Sequence, residues 1–174
     1  MTVHNMHERH FAAPLDAVGA LLDSLASPND RLWPRDRWPA MRFDRPLGVG
    51  AVGGHGPIRY EVEAYIPGRA VGFRFTAPRG FLGTHGYEVV AAGGGGGGAC
   101  LRHTLVMRTA GLARLSWPLV FRPLHDALIE DSLDRAAAAL GLPPVNAAWS
   151  PLVRGLRWLL TPRRPTLAPT TRAF

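Results

Sequence analysis

The sequence predicts an α+β fold in which a curved antiparallel β-sheet wraps around a long C-terminal helix. Three observations carry this. Short segments of strict apolar–polar alternation, separated by Gly/Pro turns, fill residues 47–109. One stretch, Pro118 to Leu140, places Phe121, Leu124, Leu128, Ile129, Leu133, Ala136 and Leu140 on one side at 3.6 residues per turn, with Asp126, Glu130 and Asp134 opposite. Polar residues then interrupt both apolar faces: His125 and Ser132 on the helix, His85 and His103 on the strands. Groups able to hydrogen-bond a guest therefore point inward, as in a lined cavity rather than a solid core.

Taken in order, Val3 to Phe11 reads as a strand crowded by His4, His7 and His10. Pro14 opens a helix at a first-turn position, and Leu15, Val18, Leu21, Leu22 and Leu25 give it a stripe that ends at Ser27-Pro28-Asn29-Asp30. A loop rich in Trp, Arg and Pro follows over 31–39, with room for a short helix. Leu47 to Val52 reads as a short strand and Gly53-Gly54-His55-Gly56-Pro57 as a turn. In Ile58 to Ile66, alternation sets Ile58, Tyr60, Val62, Ala64 and Ile66 inward, with Arg59, Glu61 and Glu63 outward. Val71, Phe73 and Phe75 share the next inner face. His85, Tyr87 and Val89 share another, and Leu101, His103, Leu105 and Met107 the last. The run Gly93–Gly98 joins these two strands as a hairpin tip. It is not a phosphate loop, because no Gly-Lys-Ser/Thr and no helix follow it. Pairing across that tip would bring Tyr87 beside His103.

Composition narrows the function. All 20 basic residues are Arg, so chemistry that needs a lysine amine is excluded. The single Cys100 cannot form an internal disulfide, the N-terminus lacks the order of a signal peptide, and no apolar run reaches a membrane span, so the reading is cytoplasmic. The net charge of +7 is uneven: all 13 acids lie at or before Asp134, whereas the segment from Leu142 carries Arg154, Arg157, Arg163, Arg164 and Arg172 with no acid. No basic stripe with interleaved aromatics runs along the body, so no nucleic-acid partner is expected.

The segment His10-Phe11-Ala12-Ala13-Pro14-Leu15-Asp16-Ala17-Val18 resembles the opening of the SRPBCC superfamily: a strand ending in an apolar residue, Ala-Pro, then a helix with an early Val. The tracts Tyr60 to Phe75 and His85 to Val89 and the closing helix agree with it in order and spacing. The resemblance spans roughly residues 3–141 and implies the helix-grip fold of START-like and polyketide cyclase/dehydrase-like proteins. It also implies an internal cavity for lipids, polyketides or other hydrophobic molecules, with catalysis in a minority of members.

The inward polar set is Tyr60, His85, Tyr87, His103, His125 and Ser132, with Phe73, Leu105 and Ile129 as apolar neighbours on the same faces. Together they form a candidate site for a small hydrophobic molecule. The alternative is a cyclase/dehydratase-type enzyme that uses a cavity His with Tyr or Ser as acid–base groups. A protein-binding module would instead show a filled core and an apolar patch outside. His85, His103 and His125 lack the paired spacing of metal ligands, and neither metal nor cofactor is expected. Cys100 has opposite parity to the apolar row and no nearby His in sequence, so it is not read as a nucleophile. Glu61 and Glu63 are expected to pair with Arg59 or Arg74, and Trp33, Trp38, Met41 and Phe43 to form either a lid or a plug.

Pro143-Pro144 separates a ligand-binding domain, 1–142, from a basic C-terminal segment, 143–174. Trp149 to Leu160 can form a helix with Trp149, Leu152, Val153, Leu156, Leu159 and Leu160 on one side. Two roles stay open for it: docking on its own domain or a second subunit, or peripheral contact with an anionic membrane. From Thr161 onward the composition is that of a disordered tail. The sequence sets no oligomeric state.

Overall fold

A computed structural model describes residues 1–92 and 98–160. The elements are β1 (Thr2–Phe11), α1 (Leu15–Asp23), β2 (Arg42–Phe43), β3 (Val52–His55), β4 (Ile58–Ile66), β5 (Ala70–Ala77), β6 (Phe81–Ala91), β7 (Ala99–Thr109), α2 (Ala113–Ser116), a π-helical turn (Trp117–Phe121), α3 (Arg122–Ala139) and α4 (Pro151–Leu160). The strands form one seven-stranded antiparallel sheet in the order β1-β7-β6-β5-β4-β3-β2. Only the step from β1 to β7 is non-local, so the first and last strands of the sequence meet with α1 and the meander between them. The predicted architecture, a curved sheet around a long C-terminal helix, is the one observed.

The register pairs Tyr87 with His103, as alternation across the hairpin requires. The tip of that hairpin, 93–97, and the predicted disordered tail from 161 onward lie outside the described residues. Several local readings need correction. The strand read at Leu47–Val52 begins only at Val52 and runs through Gly53-Gly54-His55, which was read as a turn. Gly53 and Gly54 pair with β2 and β4 as strand residues, and these positions are glycine because a Cβ at either would lie 2.0 Å from a backbone oxygen, Arg42 O or Ile58 O. In β4 a bulge between Val62 and Ala64 shifts the alternation by one residue. Ala64 and Ile66 are therefore exposed, and Tyr65 turns toward Asp23, to whose Oδ1 its hydroxyl donates at 2.9 Å. The loop 31–39 holds turns rather than a helix, with Trp38 N donating to Pro34 O at 2.9 Å.

The long helix starts earlier than Pro118, because α2 and the π turn lead into α3. Its apolar side is buried through Leu128, Ile129, Leu133 and Ala136. Its acidic side is not a solvent face, since it meets the inward residues of β1. Asn5 Nδ2 donates to Asp126 (2.8 Å), His7 bridges Asp126 (3.2 Å) and Glu130 (2.8 Å), and Arg9 bonds Glu130 (2.8 Å) and Asp134. Burial of α3 on both sides explains why one apolar stripe understates its contacts.

The third side of α3 is held by Asp131, a carboxylate only 4 % exposed. It accepts from Trp38 Nε1 (2.6 Å), Arg37 (2.7 Å) and Trp149 Nε1 (3.0 Å), so it ties the loop 31–39 and the approach to α4 onto the helix. α4 then packs on its own domain through Val153, with the Arg157 guanidinium over the Trp38 ring at 4.3 Å. Replacing Asp131 by Ala strands the buried Trp38 indole N–H and removes the acceptor shared by Arg37 and Trp149. Asp131→Ala is expected to lower stability by about 3 kcal/mol, measured by urea unfolding.

Candidate functional site

The buried residues divide into two clusters. The larger lies under α1 and α3, and the smaller holds Val3, Phe81, Leu105, Met107, Ala113 and Trp117. Between them is a cavity of about 690 Å³, lined from both sides. The sheet supplies Phe75, Phe81, His85, Tyr87, His103 and Leu105, and the β3–β4 hairpin supplies His55, Gly56, Pro57 and Ile58. The helical side supplies Trp117, Phe121, Leu124, His125, Leu128 and Ile129. Trp33, Trp38 and Met41 come from the loop, and Arg157 and Leu160 from α4. The volume falls within the roughly 300–1,000 Å³ of small-molecule sites. Rings brace one another along the wall: Phe75 on His85 at 4.6 Å, His103 on His125 at 5.0 Å and Trp117 on His125 at 5.8 Å between centroids. Such braced side chains hold the space open rather than collapsing into it.

Of the sequence-predicted residues, His85, Tyr87, His103, Leu105, His125 and Ile129 line the cavity. Tyr60, Phe73 and Ser132 do not; they are wholly buried one layer behind it. Ser132 accepts from the Tyr87 hydroxyl (3.0 Å) and donates to Leu32 O (3.0 Å), so it orients Tyr87 and is spent in doing so. Phe73 stacks on Phe43 at 6.0 Å behind the wall. Trp33, Trp38 and Met41 are both buried and cavity-lining, which merges the lid and plug readings into one: they are wall.

Sequence reading missed His55, because two glycines before it suggested a turn. Its Nδ1 lies 3.0 Å from the Tyr60 hydroxyl. Burial raises the Tyr60 pKa well above its ordinary value and lowers that of His55 to about 3, so the phenol keeps its proton and the imidazole is neutral. Tyr60 is fully buried and has no other partner for its O–H among the described residues, so the O–H donates to His55 Nδ1. That bond leaves the ring proton on Nε2. Nε2 has no protein partner among the described residues and is not among the sealed nitrogens. His55 thus carries a neutral N–H donor and is one of the residues that line the cavity.

The other cavity histidines behave differently. His85 Nδ1 and His103 Nε2 are 3.4 Å apart, and His85 Nε2, His103 Nδ1 and His125 Nε2 are buried without a hydrogen-bond partner. The three rings stand in a row along the cavity wall, 5.6 and 5.0 Å between successive centroids. Burial holds all three below the ordinary histidine value, opposed at His125 by the neighbouring Asp126. His7 moves the other way: its hydrogen bond to Asp126 outweighs burial and raises it.

The donor atoms of His7, His125 and Asp126 lie within 4.8 Å of one another, as do those of Glu8, His10 and Cys100. In the first group His7 and Asp126 are already bonded to each other. The second corrects the reading of Cys100, since the register sets His10 beside it. The thiol is nevertheless buried, and burial together with the Glu8 carboxylate pushes its pKa up, away from a thiolate. As the sequence suggested, Arg74 pairs with Glu61 at 2.7 Å.

No protein-family profile and no curated protein matches the sequence. Solved structures do. Ara h 8.0201 is 12% identical over 81% of this chain and 99% of its own, with a TM-score of 0.57. Norcoclaurine synthase of Thalictrum flavum is 16% identical over 76% of this chain and 95% of its own, with a TM-score of 0.54. StfQ, a di-domain ARO/CYC of the steffimycin biosynthetic pathway, is 13% identical over 80% of this chain, with a TM-score of 0.60; the match spans 51% of StfQ. At these identities the likeness is one of fold: the chain has the helix-grip fold.

The buried histidines make stability pH-dependent. Unfolded histidines titrate near 6.5, so as pH falls below that the unfolded chain gains protons that folded His55, His85, His103 and His125 refuse. Stability is present above 6.5 and is lost toward the lowered folded values. His7, with a raised value, contributes below 6.5 and offsets part of the loss. His55 alone accounts for up to about 2 kcal/mol between pH 7 and pH 5. Urea midpoints are expected to fall over this range, and His55→Gln is expected to shrink the fall. Equal midpoints at the two pH values would contradict the neutral assignment.

Proposed function

We propose that the protein binds a small, largely apolar molecule in this cavity and anchors one hydrogen-bond acceptor of it, such as a carbonyl or ether oxygen, on His55 Nε2–H. The observation that carries this reading is the pairing of His55 with Tyr60, which gives an apolar chamber one oriented donor. Aromatic rings on both the sheet and the helical side favour a flat, largely apolar ligand. The fold likeness to ligand binders and cyclases is consistent with either role. The low basicity of the buried imidazoles supports binding over acid–base catalysis: burial holds His85, His103 and His125 below the ordinary histidine value. A neutral imidazole with a pKa near 3 is also a poor proton acceptor at neutral pH.

Native mass spectrometry of protein purified from its own host, then denaturation and identification of what is released, tests the reading. A stoichiometric apolar compound is the expected result. For a ligand so identified, His55→Phe is expected to weaken binding about tenfold when the ligand carries the acceptor and little when the acceptor is replaced by a methylene. Equal loss for both ligands would remove His55 from the role.

A further inference from the structure

The segment joining β7 to α3 turns aromatic side chains inward and leucines outward. Trp117 and Phe121 line the cavity, while Leu112, Leu115 and Leu119 are 85%, 64% and 64% exposed at i, i+3 and i+7. A leucine stripe this exposed is unusual on a soluble surface. Its surroundings are basic. Exposed Arg114 lies within it, and Arg108 ends the adjacent strand. Arg79 is brought alongside by the bond from Ala110 N to Gly80 O, 2.9 Å. None of these three arginines has an ion pair among the described residues. No carboxylate occurs in the sequence between Glu88 and Asp126, and Asp126 is turned to β1.

We infer that the α2–π-turn face is a docking surface for an anionic lipid bilayer, with the leucines entering the acyl boundary and Arg79, Arg108 and Arg114 meeting headgroup phosphates. Charge decides between occupants. A second copy apposed through the same face would set these arginines against their equivalents. The chain's own segment 161–174 carries Arg163, Arg164 and Arg172 and no acid, so it is repelled as well. An anionic bilayer satisfies both the leucines and the arginines. Docking here places the membrane one helix thickness from Trp117 and Phe121, a short path for a hydrophobic ligand. Only that last consequence rests on the binding reading above.

Co-sedimentation of the full chain with vesicles of phosphatidylcholine alone, or mixed equally with phosphatidylglycerol, tests docking without any cavity ligand. Its failure would therefore leave the cavity reading intact. The wild type is expected to sediment with the mixed vesicles and not with phosphatidylcholine. The triple variant Leu112→Ser, Leu115→Ser, Leu119→Ser changes only exposed side chains and is expected to keep its thermal midpoint while losing binding about tenfold. Arg79→Ser with Arg108→Ser and Arg114→Ser is expected to do the same. Absence of wild-type binding overturns the inference, as does full binding by the leucine variant. Loss confined to an Arg163/Arg164/Arg172→Ser variant assigns binding to the tail and overturns it too. A dimer abolished by the leucine substitutions would give the face to a second copy.

Discussion

The site depends on a single buried carboxylate. Asp131 is the acceptor for donors that arrive from two sequence-distant segments, the loop carrying Trp33 to Met41 and the approach to α4. A charge this deep is tolerable only with several donors, and three supply it. Its consequence is geometric. Trp38 and Arg37 are pulled onto α3, Trp149 follows, and Arg157 stacks over both indoles at 4.3 and 4.9 Å. One end of the cavity is thereby built from a loop and the approach to α4, and Ser132 to Leu32 O (3.0 Å) and Arg135 to Asp36 (2.9 Å) hold the loop to the same helix. The C-terminal helix, separable by composition, becomes part of the chamber wall.

What the sequence made legible follows from periodicity. Alternation in β6 and β7 placed His85, Tyr87 and His103 on one face, and the ladder sets them there. Helical spacing placed His125 and Ile129 toward the same space. The failures occur where a single residue changes the phase. The bulge after Val62 reverses the parity of β4 without any glycine or proline to mark it. Gly53 and Gly54 are the opposite case, since glycines chosen for close backbone approach look like glycines chosen for a turn. That ambiguity hid His55, and with it the cavity's oriented donor. Ser132 was read correctly as inward, but inward is a direction and not a depth; parity cannot separate wall from the layer behind it.

The electrostatics were legible only as composition. Asp126, Glu130 and Asp134 at helical spacing look like a solvated face, yet each meets a partner on β1 more than a hundred residues earlier in sequence. Such a match is a property of the non-local β1–β7 pairing, which sets Asn5, His7 and Arg9 on the inner side at the edge of the sheet. It also separates two populations of histidine. His7 sits among carboxylates and is drawn toward the charged form; the cavity histidines sit among rings and are held neutral.

Why the cavity carries imidazoles where phenyl rings would pack as well is answered by what a neutral imidazole can present. Half a turn about the Cβ–Cγ bond exchanges Nδ1 with Cδ2 and Nε2 with Cε1, so the same ring offers either carbon or nitrogen to its neighbours. His85 Nε2, His103 Nδ1 and His125 Nε2 are buried with no hydrogen-bond partner among the described residues, and a buried polar group left so costs about 1–3 kcal/mol. A ligand with a polar atom opposite one of these rings recovers that energy on binding, whereas a pure hydrocarbon does not. On the proposed reading, a mostly apolar molecule with a few oxygens is the ligand that such a wall would favour, with the His55–Tyr60 pair setting one point of its orientation.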